Sequence, residues 1–256
     1  MQIGCCTSVE NLELIRRLGY HFIDLPGVYL TGISDLEFVR LKDKLAFAKI
    51  PCKGVHASVP ASVKIIGGDF DEDAASSYLK KLIQRVKELG VEFVGIGSPA
   101  SRCIPEGFDR RRADEQMLHF LAAACRLAGD DACVLLESLN RSETNYINTV
   151  CEAETLIDRL DYKNKGLVLD IYHFLVEKED PMVISSGLAA KIKYLHVADP
   201  EDRSFPRTDR MEIYERIVKR VICSGYNGAV SIEAIPRNMQ TDAEEGIKAL
   251  RKLLNN

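Results

Sequence analysis

Residues 133–137 (CVLLE), 166–170 (GLVLD), 192–197 (IKYLHV) and 229–233 (AVSIE) decide the fold of this chain. Each run is short and rich in aliphatic residues, and a longer segment with apolar residues at helical spacing follows it. Strands that are apolar at consecutive positions are typical of parallel sheets with helices on their faces. The C-terminal half therefore predicts four successive strand–helix units.

The same alternation continues toward the N terminus, where four further strands are predicted. They are QIGCCT (2–7), YHFIDL (20–25), CKGVH (52–56) and EFVGIG (92–97). The accompanying helices are predicted over Val9–Leu18, Asp35–Ala48, Asp73–Leu89, Asp114–Ala128, Ala153–Leu160, Pro181–Leu188, Met211–Cys223 and Asp242–Leu254. Eight units in about 250 residues is the count of a (β/α)8 barrel. A doubly wound open sheet is the alternative, but its usual G-x-G-x-x-G turn is absent after the first strand.

We therefore predict an α/β fold, with residues 1–256 forming a single (β/α)8 TIM-barrel domain, because no linker or repeat divides the chain. A hydrophobic content of 46% excludes a largely disordered chain. The net charge of −4 disfavours binding to nucleic acid, which needs a basic surface. The first residues do not resemble a signal peptide, and no apolar run is long enough to cross a bilayer. We expect a cytoplasmic protein with no nucleic-acid or membrane partner, and a homo-oligomer is possible.

The eight cysteines fit a reducing compartment. No C-x-x-C motif occurs, so neither a zinc ribbon nor a thioredoxin-type pair is supported. Most of the cysteines are flanked by apolar residues, and we expect them to be small core side chains.

Four residues with metal-binding side chains occur at the ends of the last four strands: Glu137, Asp170, His196 and Glu233. The carboxyl ends of parallel barrel strands meet at one rim, so these side chains are expected to converge there. Three carboxylates in close contact are unfavourable unless a cation neutralises them. An oxygen-rich set with one imidazole suits Mn²⁺, Mg²⁺ or Co²⁺, with Zn²⁺ possible. The alternative is that each residue only caps a helix or lies on the surface.

Two more residues have a functional and a structural interpretation. His56 ends the strand CKGVH and either points into the barrel mouth or belongs to a loop. Arg102 either faces a substrate anion or caps the loop that follows it.

The residues after these strand ends form motifs that resemble a known family. They are E-x-x-N-R-x-E-T-N from Glu137, D-x-Y-H from Asp170, H-V-A-D from His196 with a downstream R-x-x-P, and S-I-E ending at Glu233. Together with GIGSPASRCIPEGFD (95–109), they resemble the xylose isomerase-like TIM-barrel superfamily. Within it, the sequence is most similar to sugar isomerases and epimerases such as D-tagatose 3-epimerase and hydroxypyruvate isomerase.

The resemblance implies that Glu137, Asp170, His196 and Glu233 bind one divalent metal, with Mn²⁺ preferred. It also implies that Glu143 and His173 hold the terminal hydroxyl end of a small sugar, while Arg203 contacts further hydroxyls. The stretch FPRTD replaces the usual proline–glycine turn after that arginine.

Glu137 and Glu233 are the expected catalytic acid–base pair. One carboxylate would remove the proton beside the substrate carbonyl to give an enediolate, and the other would return a proton to the opposite face. That outcome is epimerisation, whereas return to the neighbouring carbon is aldose–ketose isomerisation. We therefore expect a metal-dependent sugar isomerase or epimerase.

Other activities share the same first step. A dehydratase similar to inosose dehydratase, or an enzyme that cleaves keto-glycosides, would begin with the same proton abstraction. An AP endonuclease from the same superfamily needs more metal-binding histidines, and the chain has five histidines in all. A barrel that only binds a sugar is the non-catalytic alternative.

Overall fold

The eight predicted strands close into one parallel barrel in a computed structural model that describes residues 1–255. Each strand pairs with the next along the chain, and the eighth pairs with the first. The strands are β1 (Gln2–Cys6), β2 (Phe22–Pro26), β3 (Cys52–His56), β4 (Phe93–Ile96), β5 (Cys133–Glu137), β6 (Lys165–Asp170), β7 (Ile192–Val197) and β8 (Ala229–Ile232).

Helices connect the strands and surround the barrel. They are α1 (Leu12–Leu18), α2 (Gly27–Gly32), α3 (Asp35–Ala48), α4 (Glu72–Leu89), α5 (Pro99–Arg102), α6 (Arg110–Ala128), α7 (Val150–Asp158), α8 (Ile171–Val176), α9 (Ser186–Lys191), α10 (Glu212–Cys223) and α11 (Met239–Asn255). Two 3₁₀ turns lie at Val9–Asn11 and Pro181–Val183. Among the helices described over residues 1–255, none combines the length and apolar character needed to span a bilayer.

The barrel interior is layered because side chains alternate along each strand. Five apolar side chains form a cluster separate from the large core between strands and helices, and we call it the floor cluster. Its members are Phe22, Leu135, Val168, Tyr194 and Ala229. Two residues further along the same strands come Asp24, Glu137, Asp170, His196 and Ser231. The alternation that builds an apolar floor thus also places a polar layer above it.

The prediction of a single helix over Pro181–Leu188 is wrong. The chain forms the 3₁₀ turn Pro181–Val183 and then the separate helix α9. The side chain of Asp180 accepts a hydrogen bond from the Met182 N–H, and the side chain of Ser185 accepts one from the Leu188 N–H. Two caps five residues apart start two elements, which explains the division.

Three short helices, α2, α5 and α8, were not predicted. They have six, four and six residues, too few for an apolar repeat to show in the sequence. The helix α8 also follows β6 with no intervening loop.

The expectation that most cysteines lie in the core is wrong for several of them. Three are buried, at positions 5, 52 and 125, and two are half-buried, at positions 6 and 133. Cys103, Cys151 and Cys223 are exposed. Apolar neighbours in sequence do not fix the direction of a side chain on a helix or in a loop.

Candidate active site

Four side chains converge at the carboxyl end of the barrel, and we call them the four-residue centre. Glu137, Asp170 and His196 lie on β5, β6 and β7, and Glu233 follows β8 directly. One carboxylate oxygen or ring nitrogen from each lies within 4.8 Å of the others. The first three are buried, and the Glu233 side chain is 17% exposed. Four consecutive strands therefore deliver three carboxylates and one imidazole to one point.

Each member of the centre has a buried polar atom with no well-formed hydrogen bond among residues 1–255. These atoms are Glu137 Oε1, Asp170 Oδ2, His196 Nδ1 and Glu233 Oε2. Nδ1 of His196 lies 2.7 Å from Glu233 Oε2 and 3.5 Å from Glu137 Oε1. Leaving buried polar atoms without partners is costly. Four such atoms facing one another fit a bound cation.

The charges of the centre are strongly coupled. Burial, together with the charges of Glu137 and Glu233, raises the pKa of Asp170 to about 8. Burial opposes protonation of His196, but the charge of Glu233 and the close approach of the Glu137 and Glu233 carboxylates raise its pKa well above the usual value. Burial also opposes ionisation of Glu233, yet the charges of His196 and His56 hold its pKa well below normal. Without an ion, protons on Asp170 and His196 thus offset part of the negative charge of the centre.

The local chain explains how these side chains fit. The main-chain N–H of Glu233 donates to the Val197 carbonyl at 3.2 Å, which extends the β7–β8 pairing by one residue and aims the side chain inward. Gly97 has no Cβ, and a Cβ there would collide with the Glu137 carboxylate. Only glycine leaves this space free.

A cavity of about 510 Å³ opens beside the centre. Glu137 and Glu233 line it, as do Glu143 and Arg203. The Arg203 guanidinium donates to Glu143 Oε1 at 3.0 Å, lies 3.6 Å from Glu233 Oε1 and stacks 4.8 Å from the centre of the Tyr172 ring. The altered turn FPRTD thus still leaves Arg203 at the cavity.

His56 also lines this cavity and does not point away from the barrel. Its Nδ1 lies 3.1 Å from Glu233 Oε1, and neither ring nitrogen has a well-formed hydrogen bond among residues 1–255. The imidazole is therefore placed to contact Glu233 or a molecule in the cavity.

His173 occupies a different position from the other predicted residues. It is 2% exposed and does not line the cavity. The main-chain N–H of Asn140 donates to its Nδ1 at 3.1 Å, so a neutral ring carries its proton on Nε2. That Nε2 lies 3.6 Å from Asp170 Oδ2, and burial lowers the pKa of His173 to about 4. The ring therefore faces Asp170 as a neutral donor.

Arg102 does not face the cavity. It is fully buried and donates to the main-chain carbonyls of Ile96, Glu137 and Ile147. Burial lowers its pKa to about 10, so it stays charged at neutral pH. Arg102 thus fixes the loop after β4 and the end of β5.

Two residues of the barrel interior were not recognised in the sequence. Cys6 ends β1 and lines the cavity, while Cys5 faces the core. Asp24 is fully buried, and both of its oxygens lie within 2.8 Å of the Tyr194 hydroxyl, which donates to them. The alternation from Phe22 to Asp24 was the available signal, because it puts Asp24 one layer above the floor.

Comparison with known proteins agrees with this architecture. The chain is 31% identical over 252 residues to a ketose 3-epimerase of Arthrobacter globiformis, covering 91% of this chain and 83% of that protein. It is 28% identical over 258 residues to hydroxypyruvate isomerase of Escherichia coli, covering 97% and 94%. The crystal structure of a D-allulose 3-epimerase from Methylomonas sp. superposes with a TM-score of 0.84 at 16% identity, covering 98% and 96%. The family model for the xylose isomerase-like TIM barrel matches residues 12–253, and this chain belongs to that family.

Proposed function

We propose that this protein is a divalent-metal-dependent sugar epimerase or isomerase that acts by proton transfer next to a ketose carbonyl. One observation carries the proposal: four buried ligand atoms without well-formed hydrogen bonds converge beside a cavity of small-molecule size. The names of the two sequence relatives point to the same class of reaction.

The donor set fits a hard divalent ion. Three carboxylates and one imidazole favour Mn²⁺, Mg²⁺ or Co²⁺, and we propose Mn²⁺ as the preferred ion. Glu137, Asp170, His196 and Glu233 would hold it. A bound ion would act as a Lewis acid that makes the hydrogen beside a substrate carbonyl more acidic.

The two glutamates would then move the proton. Glu233 stays ionised because His196 and His56 hold its pKa low, so it is available as a base. Glu137 also faces the cavity, from a strand three positions away around the barrel. One carboxylate accepts the proton and the other supplies a proton to the other face, which inverts the carbon.

The cavity residues would orient the sugar. Arg203 and Glu143 form a donor–acceptor pair that suits a hydroxyl group, and His56 offers a further polar contact. His173 does not line the cavity, and its Nε2 faces Asp170. We therefore propose that His173 first serves to orient the Asp170 carboxylate.

The test is turnover of a panel of free ketoses in D₂O by protein that has been stripped of metal and reloaded with Mn²⁺. We expect deuterium at the carbon beside the carbonyl of the product. Glu233→Gln should lower the rate by at least ~10²-fold, as for loss of a general acid or base. The matched control is Glu244→Gln, which changes a surface glutamate of α11 that pairs with Lys248.

Two results would overturn this mechanism. Full turnover without deuterium uptake, with Glu233→Gln still active, would indicate a hydride shift. A metal-loaded protein that converts none of the ketoses would remove free ketoses as the substrate class.

One observation favours a second candidate, a sugar that carries an apolar group, such as a keto-glycoside. Much of the cavity wall is apolar, with Val9, Leu25, Tyr29, Leu139 and Ile235 among its residues. Keto-glycosides and inososes therefore belong in the panel. Release of the aglycone, or loss of water from an inosose, would identify a lyase that shares the first proton abstraction.

A further inference from the structure

A second group of potential ligands lies at the barrel mouth, and we call it the mouth trio: Cys6, His56 and Glu233. A sulfur, a ring nitrogen and a carboxylate oxygen from these residues lie within 4.8 Å of one another. The three residues follow or end β1, β3 and β8, and all three line the cavity. We propose that the mouth trio, which shares Glu233 with the four-residue centre, is a second binding site for a thiophilic divalent cation, with Zn²⁺ as its occupant.

The donor types select the ion. Zn²⁺ is commonly bound by Cys, His and carboxylate side chains, and three protein ligands leave a fourth position open. The four-residue centre contains no sulfur and suits harder ions. The mouth trio has a thiol and only one carboxylate, whereas the four-residue centre has three carboxylates, and this difference favours Zn²⁺ or Cd²⁺ over Mn²⁺ at the mouth trio.

One ligand pair of the mouth trio already has nearly the spacing that a zinc site requires. Ligands around Zn²⁺ lie roughly 3.3–3.8 Å apart, given bonds of ~2.0–2.3 Å. His56 Nδ1 and Glu233 Oε1 are 3.1 Å apart. Both His56 nitrogens lack a well-formed hydrogen bond among residues 1–255, so no existing bond is broken when one of them binds an ion. The Cys6 sulfur lies within 4.8 Å of the ligand atoms of His56 and Glu233 and would move closer to them on binding.

The surroundings favour a cation over a free thiolate. Cys6 Sγ lies 3.6 Å from Asp24 Oδ2, with the thiol as donor, and 3.7 Å from Ser231 Oγ. Asp24 is fully buried and adds negative charge behind the sulfur. On binding, the Sγ–H proton passes to solvent, an Sγ–Zn bond forms, and no group is oxidised or reduced.

Occupation of the mouth trio would inhibit the enzyme, because Glu233 belongs to both sites. This consequence rests on the proposed function, since it requires Glu233 to carry a proton during turnover. Zn²⁺ in excess over Mn²⁺ would engage the carboxylate and narrow the cavity. The binding of the ion does not depend on that function.

The binding test uses Cd²⁺ as the probe in protein that is already saturated with Mn²⁺. A cadmium–thiolate bond absorbs in the ultraviolet, so the titration should show a band that saturates at one Cd²⁺ per chain. Cys6→Ser should lose that band while its far-UV circular dichroism stays unchanged. The control Cys151→Ser changes an exposed thiol of α7 and should keep the band.

A second variant, which keeps the thiol, tests the site even if Cys6→Ser does not fold correctly. His56→Gln should retain the band but need at least ~10-fold more Cd²⁺ to reach it, because one ligand is lost. A band of unchanged intensity in Cys6→Ser, or no band in the wild-type protein, would overturn the proposal.

The activity test separates this proposal from the proposed function. Zn²⁺ should inhibit the Mn²⁺-loaded wild-type enzyme, and Cys6→Ser should need at least ~10-fold more Zn²⁺ for half inhibition of its own rate. Equal sensitivity of the two proteins would refute the inhibitory role. If no ketose is converted at all, the proposed function fails, and the cadmium band still decides whether the site exists.

Discussion

Arg203 shows how one residue is held at the cavity against its own backbone preference. Its φ of 54° lies in the left-handed region that is uncommon for residues other than glycine. The main-chain N–H donates to the Asp199 carbonyl, and the Ile235 N–H donates to the Arg203 carbonyl at 2.8 Å. These two bonds fix the turn, so the guanidinium reaches Glu143 and the Tyr172 ring.

Replacing Arg203 by Lys should therefore impair substrate binding more than folding. Lys keeps the charge but lacks the planar fork that bonds Glu143 and stacks on Tyr172. We expect kcat/KM to fall roughly 10- to 100-fold, the equivalent of one charged hydrogen bond. Steady-state kinetics on a converted ketose measures this, with the surface change Arg207→Lys as control. Equal losses in both variants would contradict a role in substrate binding.

The candidate metal ligands were predictable because strand ends marked them. Glu137, Asp170 and Glu233 follow directly from the apolar runs that precede them. Asp24 and Cys6 lie on the first two strands, and the strands predicted over residues 2–7 and 20–25 place neither of them at a strand end. The burial of His173 depends on a hydrogen bond from Asn140, 33 residues away, which no local pattern contains.

At the scale of elements, Asp170 joins a strand to a helix. It ends β6, and its Oδ1 accepts a hydrogen bond from the Tyr172 N–H at 2.8 Å, which caps α8. Its other oxygen, Oδ2, is the atom that faces the four-residue centre. One carboxylate thus serves a structural and a proposed metal-binding role through different oxygens.

Two substitutions should separate these roles. Asp170→Asn keeps an oxygen for the cap but removes the charge, so metal affinity should fall at least ~10-fold while the metal-free protein keeps its stability. Asp170→Ala removes both the oxygen of the cap and the charge. Its free energy of unfolding should be about 1 kcal/mol below that of Asp170→Asn. Urea unfolding of the metal-free proteins and isothermal titration with Mn²⁺ give the two quantities. Equal stabilities would show that the cap contributes little.

The start of α7 carries a pH-dependent contact. Glu179 accepts a hydrogen bond from the Val150 N–H at 3.0 Å, and burial raises its pKa from 4.5 to about 7. The folded protein thus keeps a proton that the unfolded chain releases above pH 4.5. Stability from this group is complete below that pH and is lost as the pH rises through 7.

Glu179→Gln should remove this dependence. Above pH 7 the free energy of unfolding of the variant should exceed that of wild type by about 1–2 kcal/mol. This range is smaller than the full pKa shift would give, because Glu179 is only partly buried and solvent screens its charge. Below pH 4.5 the two proteins should unfold alike, because both side chains are then neutral. Urea unfolding across pH 4–9 tests this, with Glu244→Gln as control. A constant difference at every pH would point to a packing effect instead.

At the scale of the whole molecule, the count of strand–helix units was enough to predict the closed barrel. Apolar runs specify buried parallel strands, and eight of them close with each strand beside its neighbour in sequence. The short helices α5 and α8 were beyond prediction because their positions depend on tertiary contacts, such as the Arg102 bonds to β5.

Metal removal should affect activity far more than the fold. The core between strands and helices contains none of the four-residue centre, so chelation should abolish turnover and leave the far-UV circular dichroism unchanged. An ion at 100 times its Kd adds about 2.7 kcal/mol. Chelation should then lower the Tm by roughly 5–10 °C. Collapse of the circular dichroism signal at room temperature would instead make the metal structural.

The floor cluster has a kinetic consequence. All five of its side chains are at most 4% exposed, so the barrel interior is closed at the end where the strands begin, and the cavity lies at the other end. Substrate would enter and product would leave at the carboxyl end of the strands, where Arg203 and Ile235 are among the residues that line the cavity. Because substrate and product would use the same opening and the same cavity, we expect the product to inhibit the forward reaction competitively with respect to substrate.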